Sequence, residues 1–222
     1  MQLEVKNLSK RYGKRLILDE VSLKARAGEC IGILGGNGCG KTTLVSILAG
    51  ILSADGGEVL LDGDDLLQKR KLRESYLSYL PQEVPLIEEL TARDNLLLWY
   101  HKDTMNQELR EGILALLKIP DFLHIRVKKM SGGMKKRLAI ACAVANHPKV
   151  LLLDEPTGDL DLSGKEEISR YLENFCKMGG IVLMVTHDIY EMEHCDKCYL
   201  LKDKKLSEYI FDGDVSSLVK RL

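Results

Sequence analysis

A run of small and polar residues, Gly35-Gly36-Asn37-Gly38-Cys39-Gly40-Lys41-Thr42, stands between two apolar segments and restricts the possible folds more than any other stretch of the chain. Its spacing of glycines, lysine and threonine is that of a P-loop, in which backbone N–H groups turn inward around an anion. Lys41 offers a cation to β- and γ-phosphates, and Thr42 offers a hydroxyl to Mg²⁺. The flanks agree. Cys30-Ile31-Gly32-Ile33-Leu34 reads as a buried strand entering the loop, while Leu44, Ile47, Leu48 and Ile51 place one apolar face on a helix leaving it. Strand, glycine loop and helix N-terminus together make an anion site, a context that a bare glycine-rich turn lacks.

With 222 residues, 45% of them hydrophobic, the chain can bury one sizeable core, and no linker divides it, so residues 1–222 are expected to form a single domain. Its 32 basic and 33 acidic side chains leave a net charge of −1, which removes any bulk electrostatic case for nucleic acid or an anionic membrane surface. The longest apolar stretch, residues 138–145, is far short of the ~20 residues that cross a bilayer. Residues 1–6 alternate like a strand and lack the apolar core of a signal peptide, so a cytosolic location is expected. Six cysteines are then expected to stay reduced. Cys195 and Cys198 beside His194 have metal-like spacing, but no second ligand pair follows, and ordinary thiols are the default reading.

Alternating residues around Tyr12-Gly13-Lys14 and Ala27-Gly28-Glu29 predict short strands over residues 1–34, in a small antiparallel layer that a strand over 58–61 can join. From about 86 to 145 the pattern becomes helical, with candidates at 95–100, 109–118 and 135–145, and reads as an inserted helical lobe. Two later runs, 150–153 and 181–185, are short and branched, as expected of parallel strands buried on both faces. Their carboxyl ends should converge on the P-loop. The first delivers Asp154 and Glu155; alternation along an extended segment turns Asp154 towards a metal and Glu155 towards an attacking water.

Met130-Ser131-Gly132-Gly133-Met134, lying ahead of that acidic pair, completes a resemblance to the ATP-binding subunits of ABC transporters, whose signature usually reads Leu-Ser-Gly-Gly-Gln. The resemblance covers nearly the whole chain. It implies a P-loop NTPase fold with a RecA-like α/β core, an antiparallel β layer and an inserted helical subdomain over about 86–145. It also implies ATP and Mg²⁺ as ligands: Tyr12 stacking on adenine; Gly35, Asn37, Gly38, Cys39, Gly40, Lys41, Thr42 and Thr43 around the phosphates; and Thr42, Gln82 and Asp154 at the metal. Gln82, Glu155 and His187 take the catalytic places at the γ-phosphate, and Gly158-Asp159-Leu160-Asp161 follows the acidic pair. Ser131, Gly132 and Gly133 would close over nucleotide held by a second copy or a paralogous ATPase subunit in a head-to-tail dimer.

The implied role is ATP hydrolysis coupled to transport through a separate transmembrane permease subunit, at the inner face of the cell membrane. The short chain has no room for the C-terminal regulatory extension of several importer ATPases, and residues 90–96 resemble compact export-type subunits, so export is expected. The rival is a soluble ABC-type ATPase remodelling a ribosome or nucleic-acid complex. Such proteins resemble tandem cassettes or carry a long coiled-coil insertion, which this chain lacks, and no nucleic acid is expected as a partner.

Three departures from the family pattern stand out: Met130, Met134, whose thioether replaces an amide, and the extra carboxylate of Asp159. Ser131 suits a helix N-cap, yet Lys135, Lys136 and Arg137 crowd the first turn, where the helix dipole disfavours cations; an anion docking there would resolve the conflict. Cys39, placed among the loop N–H groups beside Lys41, is expected to be a readily ionised thiol.

Overall fold

A computed structural model describes residues 1–83, 85–158 and 160–210, in which two sheets are covered and joined by helices. Strands β1 (Gln2–Tyr12) and β2 (Arg15–Arg26) form an antiparallel pair in which Val5 faces Leu23. At 11 and 12 residues these are long strands, because the bulges of β1 bend the ribbon without ending its pairing. β3 (Cys30–Leu34) leaves this layer for the second sheet and leads through the glycine loop into α1 (Lys41–Leu48). β4 (Gly56–Leu61) and the short β5 (Asp64–Asp65) return to the antiparallel layer, giving the order β2-β1-β4-β5.

The remaining elements are α2 (Arg70–Tyr76), β6 (Leu77–Leu80), the helical lobe α3 (Ala92–Leu96), α4 (Lys102–Glu111) and α5 (Ile113–Leu116), then α6 (Gly132–Ala143), β7 (Val150–Asp154), α7 (Leu162–Lys177), β8 (Ile181–Val185), α8 (Ile189–Glu193), β9 (Lys197–Lys202) and β10 (Lys205–Tyr209). The second sheet runs β10-β9-β3-β8-β7-β6, parallel except for β10. Its central strands are buried on both faces. Val150 and Leu152 of β7 join the core shared with α1 and the antiparallel layer, whereas Leu151 and Leu153 face the core beneath α6, α7 and the helical lobe. That two-sided burial explains the unbroken apolar runs.

Helix boundaries in the lobe differ from those the periodicity predicts. Thr91 and Asp94 form a capping box, so α3 starts at Ala92 and ends at Leu96, leaving the expected 95–100 segment largely in a turn. The single helix expected over 109–118 is broken at Gly112, whose backbone is extended, while Glu108 Oε2 accepts from the Ile113 N–H at 2.8 Å. Likewise α1 ends at Leu48, and Ile51 is 63% exposed instead of extending the apolar face. Ser131 caps α6 one turn earlier than the apolar pattern begins. No helix among the described residues is long and apolar enough to cross a membrane.

Candidate nucleotide site

The loop after β3 can be built only with glycine at two of its corners. A Cβ on Gly35 would lie 2.6 Å from both Leu201 O and Cys39 Sγ, and Gly40, at φ +114°, would push one to 2.9 Å from Ile17 Cγ2. Gly40 is also the N-cap of α1 and supplies no side-chain acceptor, so the N–H groups opening the helix face the loop without a capping side chain. Lys41 is buried and folds back over the loop, its Nζ donating to Gly35 O at 2.7 Å and Gly36 O at 3.1 Å. Asn37 and Gly38 lie exposed at the tip, with Thr42 exposed and Thr43 half-buried on the first helical turn. Cys39 is half-buried, its side chain packed against the core beneath the loop.

Asp154 closes β7 and is 2% exposed. Burial raises its pKa; the hydrogen bond from the Thr42 hydroxyl and the charge of Lys41 oppose that rise, while Glu155 adds to it. Among the described residues its Oδ2 is a buried polar atom with no hydrogen-bond partner. A desolvated carboxylate oxygen without a donor, linked to a hydroxyl on the phosphate-binding helix, is the hard-oxygen donor set that suits Mg²⁺. Thr42 and Asp154 therefore fit the metal places expected of them. Gln82, the third residue expected at the metal, donates through Nε2 to Glu155.

Glu155 does not continue the strand, so simple alternation does not orient it. Its N–H still bonds Val185 O at 2.9 Å, but its φ is +49°, a left-handed conformation that costs energy for a residue with a Cβ. The bend presents both carboxylate oxygens to neighbouring strand ends: Oε2 accepts from Gln82 Nε2 at 3.0 Å, and Oε1 meets His187 Nδ1 at 2.9 Å. Gln82 follows β6 and His187 follows β8, and β7 lies between those two strands. Sheet order thus gathers three side chains separated by 73 and 32 positions in the chain. The cluster is tied to the loop side because Thr186 N donates to Ile33 O at 3.2 Å, next to the end of β3.

Ser131 caps α6, accepting from Met134 N at 3.2 Å, and Ser131 and Gly132 are exposed, with Gly133 half-buried. The basic first turn is better compensated than expected: Lys135 pairs with Glu88 at 2.9 Å, and Arg137 pairs with Glu167 at 3.0 Å while lying over the Phe122 ring. Lys136 is buried, and its charge lowers the pKa of Asp154. Tyr12, at the end of β1, is 49% exposed, with Lys10 Nζ 5.8 Å from its ring centroid. Asp159 lies outside the described residues, and Asp161 caps α7 through Gly164 N at 2.8 Å.

At the Cys195-Cys198 spacing, His194 Nδ1 is bonded to Tyr190 O at 2.7 Å and Cys195 Sγ lies 3.8 Å from Cys30 Sγ. Among the described residues no group of three or more His, Cys, Asp or Glu side chains is arranged to hold a metal ion. One residue the sequence reading missed is Glu191, a buried carboxylate bonded to Thr157 two positions after Glu155. Nothing in its charge or spacing signals that burial.

The ABC transporter family model matches residues 18–158. At 34% identity over 212 residues the chain is similar to the Nod factor export ATP-binding protein I of Sinorhizobium fredii, an alignment spanning 93% of the chain and 62% of that protein. It is also 34% identical, over 92% of its length and 88% of the relative's, to the lipopolysaccharide export system ATP-binding protein LptB of Haemophilus influenzae. The sulfate/thiosulfate import ATP-binding protein CysA of Bordetella parapertussis is 37% identical over 94% of the chain and 61% of its own length. Among solved structures, an ATP-binding cassette in a dimeric post-hydrolysis state with ADP and Pi superposes with a TM-score of 0.82 at 29% identity, over 93% of this chain and 97% of that one. On a family match running from β2 past the Asp154-Glu155 pair, and on relatives of this identity and coverage, the chain belongs to the ABC transporter family.

Proposed function

We propose that the chain binds MgATP at the Gly35–Thr42 loop, hydrolyses it between two cassettes and thereby drives a separate transmembrane permease subunit at the inner face of the cell membrane. The observation that carries this reading is the convergence of Gln82, Glu155 and His187 on one point at the ends of β6, β7 and β8, beside the strand that enters the loop. Loop N–H groups and Lys41 bind the β- and γ-phosphates. Thr42 and Asp154 would hold Mg²⁺, which when bound would offset negative charge on the phosphate oxygens. Glu155 takes the proton of a water as its oxygen bonds to the γ-phosphorus, and the bond from that phosphorus to the β,γ-bridging oxygen breaks, so that ADP carries off the electron pair and phosphate is released. His187 Nδ1 meets Glu155 Oε1, so an N–H at Nδ1 donates to the carboxylate and holds the ring beside the attacking water. Gln82 Nε2 holds the other carboxylate oxygen and couples the site to the partner-facing surface.

The exposed Ser131, Gly132 and Gly133 backbone at the N-terminus of α6 is read as the closing surface over nucleotide on the other cassette, whether a second copy or a paralogue, and Tyr12 as the adenine platform. Export is the direction proposed, since the relative spanned nearly end to end is an export ATP-binding protein.

The test mixes Lys41→Ala and Ser131→Arg chains, each expected to be inactive alone. A heterodimer then contains one site with both lesions and one with neither, and ATP-dependent association should reappear. Verified subunit exchange without any gain over either homodimer would show that Ser131 does not act on its partner's nucleotide, and a parent chain that releases no phosphate from MgATP would refute the ATPase reading.

A further inference from the structure

We propose that Glu191 is a positioning residue for hydrolysis, its buried carboxylate tying the turn that carries Glu155 to the turn that carries His187. The inference rests on the ATPase reading above. Glu191 sits on α8 and is 3% exposed. Its Oε1 accepts from Thr157 N at 3.0 Å and from Thr157 Oγ1 at 2.6 Å, and the carboxylate is also hydrogen-bonded by the Thr186 side chain. Thr157 lies two residues after Glu155, and Thr186 immediately precedes His187. Both threonines are 1% exposed. Thr186 Oγ1 accepts from Asp188 N at 2.9 Å, which leaves its single proton for the carboxylate.

Beyond the last ladder bonds of β7 and β8, the two turns have left the sheet. Backbone bonds still hold Glu155 N to Val185 O and Thr186 N to Ile33 O, but neither joins the two turns beyond them, so the 2.9 Å approach of Glu155 and His187 calls for a tie between the turns themselves. Glu191 supplies it. Burying a carboxylate is costly: desolvation pushes its pKa up, and the hydrogen bonds from Thr157 and Thr186 act against that push. An apolar side chain would fill the space beneath α8 without that cost. It would leave the Thr157 N–H and two hydroxyls without their acceptor, and the turns free to shift. A misplacement of about 1 Å between reacting groups costs on the order of 10²-fold in rate, whereas nucleotide held by the loop and Lys41 needs neither turn.

The experiment compares Glu191→Leu, Glu191→Gln and Thr157→Val in the full chain, with thermal melts to establish folding and direct ATP titration beside steady-state phosphate release. Glu191→Leu should lower kcat by about 10- to 100-fold, with KM and ATP affinity unchanged. Glu191→Gln should recover most of the rate, because its amide oxygen still accepts from Thr157. On a Glu155→Gln background, Glu191→Leu should cost nothing further, since the group it positions has already lost its function. If the leucine variant fails to fold, Thr157→Val, which removes only the hydroxyl, decides: it should lower kcat alone. Folded variants that turn over at the parent rate, or that lose rate and ATP affinity together, overturn the positioning role. A parent chain without ATPase activity refutes the ATPase reading itself, and this inference with it.

Discussion

Glu155→Gln isolates charge from shape at the centre of the site. In the parent chain the two carboxylate oxygens accept from Gln82 Nε2 at 3.0 Å and engage His187 Nδ1 at 2.9 Å. An amide of the same volume keeps one oxygen for one of these partners. Its NH₂ can then face Gln82, whose own amide turns its oxygen inward, or His187, whose neutral ring moves its proton to Nε2. The contacts survive, and the strained φ of +49° is no worse for glutamine. The contact with His187 lies at the surface, since His187 is 64% exposed, so weakening it costs the fold at most ~1 kcal/mol.

What disappears is the base that takes the water proton, a contribution of about 10²–10⁴ in rate. At about 1.36 kcal/mol per decade this raises the barrier by roughly 2.7–5.4 kcal/mol. Phosphate release at saturating MgATP should fall by that factor while titrated ATP affinity holds, and size-exclusion chromatography should show an ATP-dependent dimer accumulating. Turnover of the same order as the parent, in a folded variant that binds ATP, would refute the assignment of Glu155 and the geometry used to reach it.

Asp154→Asn should stabilise the nucleotide-free chain while abolishing Mg²⁺-dependent turnover. Burial raises the pKa of Asp154, so its charged form weighs against folding. The two chains should therefore melt alike below the ordinary aspartate range, and the asparagine advantage should grow as pH rises to the raised pKa and be full above it, reaching about 0.5–2 kcal/mol. Equal melting at neutral pH would contradict the sign. Thr91→Ala removes a cap that accepts from Asp94 N at 3.2 Å and donates to Asp94 Oδ2 at 2.6 Å. It should cost about 1 kcal/mol and lower the melting midpoint by about 2–4 °C, with ATP affinity unchanged in titration. Tyr12→Ala should weaken ATP binding by about 1–3 kcal/mol; an unaltered dissociation constant would remove Tyr12 from the adenine site.

The phosphate loop was legible in the sequence because its geometry is local: glycines permit the turn, the next helix supplies N–H groups, and a lysine follows within the same eight residues. The strands β7 and β8 were legible for a similar reason, since burial on both faces leaves a short, unbroken branched run. The helical lobe was less so. Periodicity located it but not its breaks, which depend on the Thr91 cap and on Gly112 leaving helical geometry. Tertiary structure alone decided what required neighbours: that β7 lies between β6 and β8 and so brings Gln82 and His187 to Glu155, that Cys39 packs half-buried against the core, and that a carboxylate at 191 is buried against Thr157. Backbone conformation is set by a few adjacent residues, whereas the partner of a side chain is set by strand order and by which surfaces exclude water together, and neither is contained in any short stretch of the chain.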